Sequence, residues 1–184
     1  ANTRRYHALL LVARKPPSER FVLVNHLEEW AEVNGRMIPL STNCYPGAVH
    51  PEGYTSCNSF TADPWPTWTY DCAGVSLQRE VLCVQGRDLV IVRWHLLKKT
   101  KSPVTLRVRP MLSGRDYHSA HHENAGLDSN VTDVEETVIW QPYHDLPAVR
   151  AFHTGVYRHE PRWFRQVQFR VEQQRGLDHE EDWW

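Results

Sequence analysis

The sequence predicts an all-β protein, an antiparallel β-sandwich, on three observations. Short runs rich in Val, Ile, Leu and aromatic residues recur along the whole chain, turn-forming dipeptides join several of them, and segments with helical period are scarce. The runs are residues 6–13, 21–27, 75–84, 89–97, 104–111, 137–141, 148–152 and 163–171. Alternation is clearest from Val104 to Arg109, where every second residue is apolar and would line one face of a half-buried strand. Phe164, Val167, Phe169 and Val171 continue the pattern near the end, which would leave Arg165, Gln168, Arg170 and Glu172 facing water.

Each connection follows from local chemistry. Asn34-Gly35 between Trp30-Ala31-Glu32-Val33 and Arg36-Met37-Ile38 predicts a two-residue hairpin whose central residues need positive φ. Gln85-Gly86-Arg87-Asp88 separates two apolar runs in the same manner. Only residues 119–124 and the last few residues could hold a helical turn. Residues 39–66, rich in Pro, Gly, Asn and Ser, read as loop, as do residues 113–132, which gather Arg115, Asp116, His118, His121, His122, Glu123, Asn124 and Asp128 directly after a strong strand.

Composition narrows the function. The 184 residues suit one domain, 1–184, large enough to hold a core without disulfides or metal staples. With 21 Lys+Arg against 22 Asp+Glu the net charge is -1, so no global field draws in nucleic acid or an anionic membrane, and neither is an expected partner. No apolar run approaches the ~20 residues of a membrane helix, and no signal peptide is visible at the start, so a cytoplasmic location is expected. Cys44, Cys57, Cys72 and Cys83 include no CxxC pair and read as reduced thiols. The absence of an initiator Met and the ending on Trp183-Trp184 read as a fragment of a longer protein. Eight Trp and seven Tyr belong to packed β-domains or to faces that stack on flat ligands such as sugars.

Four constellations could carry chemistry. Asn2-Thr3-Arg4-Arg5-Tyr6-His7 brings Arg5, Tyr6 and His7 to the start of an apolar strand, where they could line a pocket. Trp65-Pro66-Thr67-Trp68-Thr69-Tyr70 places Trp68 and Tyr70 on one strand face, suited either to a pyranose ring or to core packing. Arg115-Asp116-Tyr117-His118 can donate to and accept from hydroxyl groups, or pin a loop to a sheet. The three His of the 118–122 segment fit no metal motif, so no metal and no cofactor is expected. Asp178, Glu180, Glu181 and Asp182 read as a solvated terminus rather than paired catalytic carboxylates, and no GxSxG, P-loop or GxGxxG is present. Catalysis by this chain is not expected.

Asn2-Thr3-Arg4-Arg5-Tyr6-His7-Ala8-Leu9-Leu10, Tyr45-Pro46-Gly47, Pro51-Glu52-Gly53, Pro66-Thr67-Trp68-Thr69-Tyr70, Arg109-Pro110-Met111-Leu112 with Arg115-Asp116-Tyr117-His118, and Glu172 with Arg175-Gly176-Leu177-Asp178 and Glu181-Asp182 resemble, in this order, the N-terminal domain of bacterial and archaeal glycogen debranching enzymes. NTRRYH and RDYH are the most specific blocks. The departures are small: Ala8 stands where the family often has Gly, and Trp183-Trp184 replaces the usual continuation. The resemblance implies a β-supersandwich similar to the N-terminal domain of bacterial glucoamylases, ahead of an (α/α)6-barrel catalytic domain that holds the general acid and base. It implies a parent enzyme acting on α-1,6 branch points of glycogen or branched dextrin, of the amylo-α-1,6-glucosidase type with 4-α-glucanotransferase activity also attributed. The domain itself would bind or position α-glucan and pack on its own C-terminal catalytic domain, through an interdomain face that includes Trp183 and Trp184. The alternative is a purely structural interdomain module that binds no sugar.

Overall fold

The computed structural model describes residues 2–101 and 103–184. Fifteen strands form along the described chain, with one short α-helix and a 3-10 turn at Gly53–Thr55. The strands are β1 (Leu10–Lys15), β2 (Ser18–Val33), β3 (Arg36–Pro39), β4 (Thr42–Tyr45), β5 (Ala48–Glu52), β6 (Cys57–Thr61), β7 (Thr67–Cys72), β8 (Val75–Cys83), β9 (Val90–Leu96), β10 (Val104–Asp116), β11 (Val131–Val134), β12 (Thr137–Trp140), β13 (Val149–Phe152), β14 (Phe164–Gln168) and β15 (Glu180–Trp183); α1 spans Arg170–Gln174. The pairings β1–β2, β2–β3, β4–β5, β6–β7, β7–β8, β8–β9, β11–β12, β12–β13 and β14–β15 are antiparallel. Two compact units emerge: His26–Pro110, and a second formed by Asn2–Asn25 with Met111–Trp184. The long strands β2 and β10 contribute residues to both.

In the first unit a four-stranded sheet runs in the order β6-β7-β8-β9. Its inward residues Trp68, Tyr70, Cys72, Val75, Leu77 and Trp94 pack on Ala31, Val33 and Ile38 of β2 and β3 and on Val104 and Leu106 of β10, which makes a two-layer sandwich. The Asn34-Gly35 hairpin forms as expected, with φ of 51° and 74° at its two central residues and Val33 opposite Arg36. Residues 39–66, expected to be loop, instead hold β4, β5 and β6. Their Pro and Gly content hid short strands that contribute little alternation. Gly53 shows why this region has its composition: its N–H donates to the Ser41 carbonyl at 2.8 Å, and a Cβ there would lie 2.3 Å from the Leu40 carbonyl carbon.

In the second unit, Val12, Leu23, Val24 and Leu112 from β1, β2 and β10 pack on Val138, Trp140 and Val149 from the β11-β12-β13 sheet. Val22, Leu23, Val24 and Asn25 are all buried, so this stretch of β2 is covered on both faces. The expected strand 163–171 divides: β14 ends at Gln168 and the chain enters α1. A bulge at Gln166, whose φ is 60°, already interrupts the pairing there, so the apolar positions do not alternate strictly.

The C-terminal residues depart most from expectation. Glu180–Trp183 is strand β15, paired with β14, and Trp184 exchanges backbone hydrogen bonds with Leu112 in both directions, at 2.6 and 3.1 Å. Trp183 is fully buried and Trp184 joins the core with Val12 and Leu23. Both were expected at an interdomain face; the chain's own strands cover them, Trp183 because period two turns it inward with Glu181 and Trp184 because its pairing with Leu112 sets it in the core.

Candidate functional site

Two groupings of aromatic rings and guanidinium groups, one in each unit, contain most of the residues singled out from sequence. In the second unit the NTRRYH and RDYH blocks converge. Tyr6 and His118, 112 positions apart, meet with Tyr6 Oη 3.3 Å from His118 Nδ1. The Tyr6 ring lies edge-on to Tyr117 at 5.6 Å and to His118 at 5.7 Å, and the Tyr117 and His118 rings are 3.9 Å apart. Arg4 and Arg5 stand over the Tyr6 ring at 5.3 and 5.7 Å, and Arg20 over Tyr117 at 5.3 Å. Tyr6 and Tyr117 are half-buried while His118, His7 and Asp116 are exposed, so the group is anchored on one side and open on the other. Asp116 turns the chain by accepting the His118 backbone N–H at 2.8 Å, and His7 Nδ1 accepts the Thr3 N–H.

Arg115 is the clamp beneath this group. Its Nη2 donates to the Arg5 carbonyl at 2.6 Å, Nη1 donates to the carbonyls of Asp116 and Tyr117, and Nε lies 2.5 Å from Glu181 Oε2. Arg115 and Glu181 are both buried, and Trp183 Nε1 donates to the other Glu181 oxygen at 2.6 Å. One guanidinium thus ties together the first turn of the chain, the end of β10 and the final strand. Burial pushes the Glu181 carboxyl up, to about 7, against the pull of Arg115. At Glu172, also fully buried, burial acts upward as well, but hydrogen bonding and charge from Arg4, with the Arg175 charge, hold the carboxyl below its usual range. The solvated tail expected from sequence is therefore the structural support of the site. The signal that could have revealed it was the inward period of Glu181 and Trp183.

In the first unit, register places Phe60, Trp68, Arg79 and Trp94 in one cross-strand row over β6 to β9. Phe60 and Trp68 are 4.9 Å apart and the Arg79 guanidinium sits 4.8 Å over the Trp68 ring. Arg79 is locked from below by buried Glu29, 2.7 Å away, which also accepts Trp94 Nε1 at 3.1 Å. Burial drives the Glu29 carboxyl upward against Arg79. Tyr70, named with Trp68 as a platform, is a core residue at 4 % exposure; its ring shares the Trp68 face, and that face turns inward. Trp65 does not join the row. It hydrogen-bonds Glu80, whose side chain points to the opposite side of the sheet from Arg79. Phe60, Arg79, Glu29 and Trp94 were not singled out from sequence, because only strand register brings them beside Trp68.

His121 is not part of an open His cluster. Its Nδ1 and Nε2 meet the Asp182 carbonyl and the Tyr143 hydroxyl at 2.9 and 2.7 Å, and burial lowers its basicity. Among the described residues no group of three His, Cys, Asp or Glu is placed to hold a metal ion, and no helix is long and apolar enough to cross a membrane.

The collinear blocks thus have a structural counterpart, and comparison with protein families decides what they belong to. The family described as "Glycogen debranching enzyme N terminal" matches residues 1–184, the whole chain. The chain belongs to that family. Neither curated proteins nor solved structures gave a match. For a glycogen debranching enzyme N-terminal domain, the NTRRYH and RDYH blocks are then two halves of one corner, joined through Arg115.

Proposed function

We propose that this domain is the non-catalytic, glucan-positioning part of a debranching enzyme, and that α-glucan stacks on the open corner formed by Tyr6, Tyr117 and His118. The observation that carries the reading is the convergence of these three rings, partly open to solvent, with Arg4, Arg5 and Arg20 around them. Aromatic rings cover the C–H faces of a pyranose, while imidazole, phenol and guanidinium groups meet its hydroxyls. The two wholly buried carboxylates behind the corner, Glu172 and Glu181, are both engaged by arginine and serve to hold the site rather than to transfer protons. General acid and base for α-1,6 cleavage belong, in this reading, to a catalytic domain of the parent protein in the cytoplasm, on which this domain packs.

Titration of the chain with maltoheptaose and with a branched dextrin tests the assignment. Millimolar sugar is expected to shift the His118 and Tyr117 resonances, and Tyr117→Ala to abolish the shift. No shift at any residue would sink the binding role and leave a structural module. Release of glucose from limit dextrin by this chain alone would overturn its non-catalytic status.

A further inference from the structure

The guanidinium groups around the corner divide into matched and unmatched charges. Arg4 is paired with Glu172 and Arg115 with Glu181. Arg5 and Arg20 form no ion pair among the described residues, although both stack on the rings of the site. Arg20 donates to the Pro17 carbonyl at 3.0 Å, and its Nη1 lies 3.4 Å from the Tyr117 hydroxyl, which keeps its own proton free to donate. Arg5 is the more telling case. Its Nε is buried and has no hydrogen-bond partner, while its backbone carbonyl is held by Arg115. A buried guanidinium N–H without an acceptor carries a desolvation cost that a fold ordinarily removes by supplying a partner, as Glu29 does for Arg79 in the first unit.

A neutral sugar hydroxyl could accept from Arg5 but would bring no charge to a guanidinium that acts on Glu172 only through space, since the contacts of that carboxylate go to Arg4 and Arg175. A carboxylate offers two oxygens; a phosphoryl group offers three acceptor oxygens and up to two charges, enough to engage separate guanidiniums and a phenol at once. The geometry points to a phosphoryl-recognition site at Arg5, Arg20 and Tyr117, filled by the phosphate monoester of a glucosyl unit whose ring stacks on the neighbouring aromatics. The stacking half of this inference rests on the glucan reading of the corner; the phosphoryl half stands on Arg5 and Arg20.

Calorimetric titrations of the chain with glucose 6-phosphate, glucose, inorganic phosphate and maltoheptaose separate the two. Glucose 6-phosphate is expected to bind about tenfold or more tighter than either glucose or inorganic phosphate, the factor associated with a charge-assisted contact. Arg5→Gln and Arg20→Gln should each remove that preference while the chain keeps its cooperative melting transition, and Arg150→Gln, an exposed residue of β13, should leave it. Equal affinity for glucose and glucose 6-phosphate, or a preference that survives Arg5→Gln, overturns the phosphoryl site. Inorganic phosphate binding as tightly as the sugar phosphate overturns the glucosyl part. Maltoheptaose bound without any phosphate preference retains the glucan reading alone; a phosphate preference lost in Arg5→Gln, with no maltoheptaose bound, retains the anion site and discards the glucan.

Discussion

The two aromatic–guanidinium groupings use the same residue types toward opposite ends. In the first unit Arg79 lies over Trp68 with a carboxylate beneath it, so cation, anion and indole close on one another, and Phe60, 54 % exposed, is the ring most open to solvent. In the second, Arg5 and Arg20 lie over Tyr6 and Tyr117 with no carboxylate paired to them, and the rings stay partly open. A stacked guanidinium that is neutralised by the fold is structure. One left unmatched on an anchored ring is available chemistry, and the second unit's nearby carboxylates, Glu172 and Glu181, are committed to Arg4 and Arg115 instead.

Several substitutions would break or sharpen this contrast. The largest effect is expected from Arg79→Met, which strands Glu29 in the core and should cost about 3–5 kcal/mol in urea denaturation, whereas Arg5→Gln should cost about 1 kcal/mol or less. Equal losses would erase the distinction between closed and open groupings. Trp183→Ala should cost about 3–5 kcal/mol, because the indole is fully buried within this chain; a loss near zero would return Trp183 to an interdomain role.

The pH dependence comes next, and the two units contribute with opposite sign. Burial pushes the His26 imidazole of the first unit down to about 3 from an ordinary 6.5. Its contribution is therefore intact above about pH 6.5 and is lost as pH falls from there toward 3, by on the order of a few kcal/mol. Glu181 of the second unit, raised to about 7 from 4.5, binds more protons folded than unfolded between those values. Its contribution is present below about pH 4.5 and is lost as pH rises through about 7. Urea midpoints followed from pH 4 to pH 8 should lose their acid-side slope in His26→Gln and part of their neutral-side slope in Glu181→Gln. A similarly small effect is expected of Phe60→Ala, at about 1 kcal/mol for a half-exposed ring. In the proposed reading it leaves glucan affinity nearly unchanged, while Tyr117→Ala abolishes it; the reverse order, read in the same sugar titration, would move the binding site to the first unit.

Strand content was legible because it depends on local pattern. Runs such as 75–84 and 89–97 alternate or concentrate β-branched and aromatic residues and became β8 and β9, and Asn34-Gly35 carried its own turn geometry. The short strands β4, β5 and β6 were hidden because Pro and Gly dominate their surroundings and bulges interrupt the register of their pairings, so no clean alternation shows. Within the candidate site, Arg5, Tyr6, Tyr117 and His118 were identifiable as polar and aromatic residues in two specific blocks. Arg20, whose role comes from standing over Tyr117, was not. Glu181 was misread as solvated because a run of acidic residues looks polar whichever way alternate side chains turn.

The sequence by itself determined the all-β class, the principal strands, a near-neutral charge balance, and the family, since each follows from composition, period or collinear motif. Only the tertiary structure decided which arginine finds a carboxylate. Arg115 and Glu181 are 66 positions apart, and Arg4 and Glu172 are 168 apart, so no local pattern couples them. Pairing depends on strand register and burial, and those set whether a charge becomes part of the core or remains free to meet a ligand.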